Sequence, residues 1–203
     1  MRYTRTHKQE TRDRVVTIAA KMLREKGPDG VGVAEVMREA ELTHGGFYAH
    51  FPSKDAFLTE ALRMILEQAV QKRRQLTEGL PPREALGVYI DYYVSAPHRD
   101  HPGSGCPIVA LNSELPRQSK KFRIAFDQGV KGLIDWLAQL MAEAGMADSE
   151  KRATATLAAM VGAVALSRAV SDRDLSDALL KTANSGIKRQ LGLITGSGQK
   201  VLA

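Results

Sequence analysis

The 203-residue sequence predicts an all-α fold. Apolar residues recur at helical spacing along most of the chain, and no segment alternates between apolar and polar residues as a strand would. The first apolar stripe consists of Val15, Ile18, Ala19, Met22 and Leu23. Glycines and prolines interrupt these stripes where helices are expected to end. Hydrophobic residues make up 43% and charged residues 26%, a balance typical of a globular domain with a packed core.

The N-terminal part of the chain predicts four helices. The first ends at Gly27-Pro28, and a short second helix follows around Val36. A break at residues 41–43 leads to a third short helix that contains Gly45 and Gly46. Ser53 is well suited to cap a longer fourth helix, because its side chain can accept hydrogen bonds from free backbone N–H groups.

The remainder of the chain predicts five more helices, about nine in total. A fifth helix is expected from about Pro82 to Ala96, and a short sixth begins near Pro107. A long helix follows Pro116 and ends near Ala144, and two further helices complete the fold. Residues 97–105 are expected to be the least structured interior segment, and residues 195–203 a disordered tail.

Positive charge is concentrated near the N-terminus. The formal net charge is +6 and the sequence pI is about 9.5. The segment from Met1 to Lys26 carries eight basic and three acidic residues, a net charge of +5. This pattern fits a solubilising basic helix or a segment that lies near nucleic-acid phosphates.

Cysteine usage and hydropathy predict a cytoplasmic protein. Cys106 is the single cysteine, which excludes an intramolecular disulfide framework and fits a reducing compartment. The N-terminus lacks the apolar core of a signal peptide, and the longest apolar run, residues 157–166, is too short to span a bilayer. We therefore expect no membrane association.

Residues 33–51 have the size of a helix-turn-helix, in which the second helix enters the major groove. Thr43 is the expected N-cap of that helix. Gly45 and Gly46 then fall in its first turn, where the absence of side chains lets backbone approach DNA. Phe47 and Phe51 lie four residues apart and are predicted to pack inward.

Lys54 lies in the first turn of the next helix, where the helix dipole disfavours a cation. A bound phosphate would reverse this effect, because free N–H groups and the lysine both attract an anion. The alternative is a surface lysine that points away from any ligand.

The segment "VGVAEVMREAELTHGGFYAHFPSKDAFL" at 31–58 resembles the signature of the TetR family of bacterial transcriptional regulators. The shared run is Phe47-Tyr48-x-His50-Phe51 followed by Ser53-Lys54. The resemblance implies an all-helical homodimer that binds double-stranded operator DNA. It also implies a DNA-binding domain at residues 1–54 and a ligand-binding and dimerisation domain at residues 55–203.

The resemblance also implies the DNA contacts. Thr43, His44, Gly45, Gly46 and Tyr48 would lie in or beside the major groove. Tyr48, His50 and Lys54 would contact phosphates.

The sequence departs from the family at three positions. Gly32 replaces the usual Thr or Ser cap of the second helix, and Glu41 replaces the usual turn glycine. Gly46 replaces a common Ser or Thr that bonds phosphate.

Cys106 is the candidate sensor. The stretch "SGCPIVALNSEL" resembles a branch of the family with Gly-Cys at the start of the sixth helix, some members of which sense electrophiles or oxidants. Independently, a thiol at a helix N-terminus with basic residues nearby is expected to have a lowered pKa. The alternative is a buried cysteine that packs as a small hydrophobic residue.

Two other functions remain open from the residues alone. Cys106 with His98 and His101 offers three ligands to a soft metal, which would make the protein a metal-responsive repressor. The same cysteine with either histidine as base would suggest an enzyme, but no oxyanion donors are visible, so neither catalysis nor a cofactor is expected.

A small-molecule effector would need an apolar pocket in the C-terminal part of the chain. Five aromatic residues are candidates to line it: Tyr89, Tyr92, Tyr93, Phe126 and Trp136.

Overall fold

The computed structural model describes residues 5–194, with side chains described from residue 8. Within this range the chain forms nine α-helices and no β-strand element, which confirms the predicted fold class. The helices are α1 (Arg5–Gly30), α2 (Val33–Glu39), α3 (Lys54–Thr77), α4 (Pro82–Tyr93), α5 (Ala96–Asp100), α6 (Pro107–Leu111), α7 (Lys120–Glu143), α8 (Ser149–Ala169) and α9 (Arg173–Gln190). The predicted tail at residues 195–203 lies outside the described residues.

Three short 3-10 segments lie between the helices: His44–Ala49, Pro102–Ser104 and Leu115–Arg117. We call His44–Ala49 the recognition segment. The sequence predicted a third short helix here, and the structure has a single 3-10 stretch of six residues. Its two adjacent glycines explain the difference, because they disfavour the regular α-helix.

α1 is interrupted by a kink near its end. Gly27 has φ of +70°, so the helical path breaks there and resumes for one short turn that includes Pro28. The sequence predicted the end of the helix at this point. Glycine accepts the left-handed conformation without the steric cost that other residues incur.

The N-terminal core is built from α1, α2, the recognition segment and the first half of α3. Phe47, Phe51 and Phe57 form an aromatic cluster whose ring centroids are 4.6 to 5.3 Å apart. All three are at most 1% exposed, so the predicted inward packing of Phe47 and Phe51 is confirmed. This core continues into Leu111, Leu115, Phe122 and Ala125 of the later elements.

The second core lies among α4, α6, α7, α8 and α9. Phe126 on α7 packs against both cores and connects them. None of the helices in residues 5–194 is long and apolar enough to cross a membrane.

The segment at residues 97–105, predicted to be the least structured, is largely helical. α5 occupies Ala96–Asp100 and is capped by Ser95, whose side chain accepts from the His98 N–H. Arg99 is 5% exposed, and it donates to Ser176 and Asp177 on α9 and pairs with Asp100. The prediction was wrong because these stabilising partners on α9 lie more than 70 residues away in sequence.

Candidate DNA-binding segment and ligand cavity

The recognition segment presents a polar outer side above a buried aromatic inner side. Phe47 is 1% exposed, whereas the adjacent Tyr48 is 69% exposed. Thr43, His44 and Gly45 are also exposed. A Cβ added to Gly45 would meet no atom within 4 Å, so this backbone lies open to a ligand.

The predicted cap of the recognition segment is wrong in detail. Thr43 is at the N-cap position with extended backbone, but its side chain accepts no capping hydrogen bond. Only its backbone carbonyl accepts from Gly46, at 3.0 Å. The Thr43 hydroxyl is therefore not used by the cap. The two sequence departures in this region have visible effects: Gly32 provides no side-chain cap for α2, and Glu41 has φ of 57°.

Arg12 fixes the end of the recognition segment. Its guanidinium donates to the His50 carbonyl oxygen at 2.5 Å and also pairs with Glu60 on α3. The same group lies 4.5 Å from the centroid of the Phe51 ring. One arginine on α1 therefore ties the recognition segment to α3, a link that sequence patterning did not identify.

His50 is half-buried and lies in a positive environment. Burial, together with the nearby Lys8 and Arg12, lowers the pKa of its imidazole. The ring is therefore neutral at physiological pH, and its Nδ1 atom is buried without a hydrogen-bond partner among the described residues. Neutral His50 can donate a hydrogen bond to a phosphate, while Lys8 and Arg12 provide the attraction at longer range.

Lys54 is the first residue of α3 and is exposed. Ser53 precedes it and accepts from the Ala56 N–H at 3.1 Å, as the sequence predicted. The lysine and the helix dipole supply positive charge at this end of α3, where Asp55 carries the opposite charge.

A cavity of about 720 Å³ lies beside the second core. α1, α3, α4, α7 and the segment from α5 to α6 all contribute to its wall. Tyr89, Tyr92 and Tyr93, three of the five candidate pocket residues, line it together with Cys106, the candidate sensor. Phe126 and Trp136 do not line it. Trp136 packs behind the wall against Tyr89, with ring centroids 4.7 Å apart.

The hydrogen bonds around Cys106 determine the tautomer and charge of the His98 ring. The His98 Nδ1 atom is 2.6 Å from the Tyr93 carbonyl oxygen, and Nε2 accepts from the Cys106 N–H at 2.9 Å. A carbonyl only accepts and an amide only donates, so the ring carries its proton on Nδ1. Burial lowers the pKa of His98, which is consistent with this neutral form.

These contacts argue against two alternatives that used His98: a metal-responsive repressor and a Cys106-dependent enzyme. Both of its ring nitrogens are occupied by backbone groups, so it is free neither to bind a metal nor to act as a base. Among the described residues no three His, Cys, Asp or Glu side chains are grouped to hold a metal ion. His98, His101 and Cys106 therefore do not form the metal site that their spacing suggested.

The predicted lowering of the Cys106 pKa is also wrong. Burial raises the pKa of the thiol, and this effect outweighs the Tyr93 hydroxyl and the Ile108 and Val109 amides, which lower it. α6 has only five residues, and the basic His98 expected to help is neutral. The resting cysteine is a protonated thiol at the cavity wall.

Comparisons with known proteins identify the family. A family model described as "Bacterial regulatory proteins, tetR family" matches residues 16–61, and the model of the LmrA/YxaF-like C-terminal domain matches residues 82–182. The HTH-type transcriptional repressor NemR of Escherichia coli K12 is 30% identical over 137 residues, which cover 65% of this chain and 67% of that protein. The chain belongs to the TetR family.

Other relatives agree with this assignment. The transcriptional regulator LmrA of Bacillus subtilis is 23% identical over 78% of this chain and 86% of its own length. The solved E. coli NemR structure, in its reduced form, has a TM-score of 0.78 at 24% identity and covers 89% of this chain and 96% of that one. A TetR regulator from Chloroflexus aurantiacus also has a TM-score of 0.78, at 22% identity over 92% and 96% of the two chains.

TetR-family proteins are transcriptional regulators that bind operator DNA and act as dimers, and this chain is accordingly a DNA-binding regulator rather than an enzyme. The sequence pattern did not identify the cavity arginines, among them Arg24 and Arg73. Arg24 was grouped with the basic N-terminal residues expected near nucleic acid. Only the packing of α1 against the later elements shows that it faces the cavity.

Proposed function

We propose that this TetR-family protein is a homodimeric repressor that contacts double-stranded operator DNA through the recognition segment and the start of α3. The contact residues are Thr43, His44, Gly45, Gly46, Tyr48, His50 and Lys54. The observation that carries the proposal is the 69% exposed Tyr48 beside the buried Phe47. An exposed aromatic side chain on a rigid buried anchor is suited to lie against a DNA backbone.

The division proposed for the chain is a DNA-binding domain at residues 1–54 and a regulatory and dimerisation domain at residues 55–203. Exposed residues on the last two helices support a dimer surface there. Leu166 on α8 is 56% exposed and Leu175 on α9 is 48% exposed, and the small Ala158 and Ala159 are also exposed. Small side chains allow the helices of a partner to approach closely, and the leucines provide apolar area to bury.

The effector is proposed to act in the cavity, either as a bound small molecule or as an electrophile or oxidant that modifies Cys106. The thiol lines the cavity, and it is the sole cysteine of the sequence. Either effector must favour a conformation that does not bind DNA, since only differential affinity shifts a population.

The DNA-binding part is tested with labelled DNA from the region flanking the protein's own gene. Wild type is expected to bind with an affinity that falls steeply as salt increases. Tyr48→Ala is expected to bind at least about tenfold more weakly, by loss of backbone contacts. Wild-type affinity in this variant would contradict the proposed DNA contacts.

The effector part is tested with Cys106→Ser, which is expected to bind the same DNA as wild type. An electrophile such as iodoacetamide is expected to release wild type from DNA but not this variant. Equal release of both proteins would exclude the thiol and leave a reversible ligand as the effector.

A further inference from the structure

Unsatisfied polar groups are concentrated at the cavity. In the described part of the chain, four buried side-chain nitrogen or oxygen atoms have no hydrogen-bond partner. Three of them belong to cavity residues: Nε of Arg24, Nε of Arg73 and the hydroxyl of Tyr93. These residues come from α1, α3 and α4 respectively. Buried polar groups are rarely left unpaired, so these three groups are available to water or to a polar ligand in the cavity.

The charge of the cavity wall indicates that the ligand is negatively charged. The lining residues include four cations, Arg24, Arg63, Lys72 and Arg73, and one acid, Glu67. Within residues 8–194 neither Arg24 nor Arg73 forms an ion pair. Arg24 donates to the Gln68 side-chain oxygen at 3.2 Å, and Arg73 to the Gly132 carbonyl at 3.4 Å. Both acceptors are neutral. Burial lowers the pKa of Arg24 and the nearby Glu25 raises it, but no direct ion pair among the described residues neutralises either half-buried positive charge.

The rest of the cavity wall indicates the size and the apolar character of the ligand. Tyr89, Tyr92, Leu66, Leu133 and Ile108 supply apolar and aromatic surface. The volume of about 720 Å³ is far larger than an inorganic ion needs and lies within the range typical of sites for organic ligands. The Tyr93 side chain is 1% exposed, and its hydroxyl lies beside the Cys106 thiol.

We propose that the cavity binds an organic anion, an aromatic carboxylate whose charge is held by Arg24 and Arg73 and whose ring packs against the tyrosines. The Tyr93 hydroxyl donates to the same ligand. The role of this anion as the effector rests on the proposed function, whereas its binding does not.

The positions of the two arginines suggest how binding would reach the DNA-binding segment. Arg24 lies on α1, which also carries Arg12, the residue bonded to the His50 carbonyl. Arg73 lies near the other end of α3 from Lys54. A carboxylate between Arg24 and Arg73 would draw α1 and α3 together at the cavity and change their relative positions at the recognition segment.

The test compares two probes of nearly equal size, 1-naphthoate and its neutral analogue 1-naphthamide, by isothermal titration calorimetry on the full chain. We expect saturable binding of 1-naphthoate that is at least tenfold tighter than that of 1-naphthamide. Arg24→Gln and Arg73→Gln are each expected to weaken 1-naphthoate binding at least tenfold. The matched control is Arg74→Gln, which makes the same charge change on the same helix at an exposed position outside the cavity wall and should bind like wild type.

Arg73 also lies 5.2 Å from the centroid of the Trp136 ring, so its replacement can disturb folding. Tyr93→Phe keeps the shape of the core and removes the hydroxyl beside Cys106, and it should weaken 1-naphthoate binding several-fold. Equal binding of the two probes, no binding of 1-naphthoate, or wild-type affinity in both Arg24→Gln and Tyr93→Phe would overturn the proposal. If 1-naphthoate binds as expected while the protein fails to bind DNA, the anion site stands and the proposed function fails.

Discussion

Single residues of the recognition segment have two different roles: buried side chains anchor it on the core, and exposed side chains are available to DNA. Phe47 and Phe51 hold the segment on the core, which leaves Tyr48 and Lys54 free to reach DNA. Gly46 has no hydroxyl to bond phosphate. An added Cβ there would meet the Thr43 hydroxyl at 3.6 Å, an ordinary contact, so the site has room for the serine that the family often carries. We infer that Tyr48, His50 and Lys54 carry the phosphate contacts.

Lys54→Ala should remove one phosphate contact. We expect affinity for the flanking DNA to fall by roughly tenfold at low salt, and the slope of log affinity against log salt to become shallower by about 0.9. The control is Lys151→Ala, which removes an exposed lysine from the first turn of α8. A salt slope in Lys54→Ala equal to that of wild type would show that this lysine points away from DNA.

The raised pKa of Cys106 predicts slow alkylation at neutral pH. Thiolate is the reactive form, so its fraction grows about tenfold per pH unit as long as the pH is below the thiol pKa. We expect the rate of iodoacetamide modification, followed by mass spectrometry, still to be rising at pH 9. A cysteine-containing peptide serves as the reference, with its plateau nearer the ordinary value. A plateau near pH 7 in the protein would contradict burial as the dominant influence.

At the scale of elements, the junction between α1 and the later helices depends on Gly27. Its φ of +70° favours glycine, and an added Cβ would lie 2.2 Å from the Glu114 carboxylate, which covers this position. Gly79 has nearly the same φ, +72°, but an added Cβ there would meet no atom within 4 Å. Substitution at Gly79 therefore tests backbone strain alone, and substitution at Gly27 tests strain together with the contact to Glu114.

Gly79→Ala should lower the free energy of unfolding by about 1–2 kcal/mol through strain alone. Gly27→Ala should cost roughly 1 kcal/mol more, because Glu114 must move away. Urea unfolding measures both values. In a Glu114→Ala background the two glycine substitutions should cost the same, and an unchanged difference between them would show that Glu114 is not the cause.

Hydrophobic periodicity predicted the long helices because each carries an apolar stripe that packs on a core. The side-chain cap at Ser53 was predicted correctly, whereas the side-chain cap expected at Thr43 is absent. Prediction failed where distant residues determine the structure. Arg99 orders α5 through Ser176 and Asp177, and Arg24 reaches the cavity only because α1 packs beside the later elements. The domain boundary and the DNA contacts stay predictions.

At the scale of the whole molecule, the proposed mechanism requires two subunits. Two recognition segments must fit successive major grooves, spaced by roughly 34–36 Å, so operator binding depends on a dimer. We propose that an effector bound in the cavity releases DNA by changing the spacing between the two recognition segments.

Leu166→Glu should disrupt this dimer by placing a charge in a surface that becomes buried. Analytical ultracentrifugation is expected to show a monomer and DNA-binding assays a loss of affinity of at least about a hundredfold, because a monomer contacts a single half-site. Ile124→Glu is the matched control, since Ile124 is 48% exposed on α7, outside the proposed dimer surface. A dimer that persists in Leu166→Glu would place the interface elsewhere.

In the proposed mechanism, the two recognition segments of a dimer read two half-sites on operator DNA. Hydroxyl-radical footprinting of the DNA flanking the protein's own gene tests this arrangement. We predict two protected patches about one helical turn apart, related by an inverted repeat, and lost together in Tyr48→Ala. Unprotected DNA, or a single patch that persists in Tyr48→Ala, would contradict half-site binding by the recognition segments.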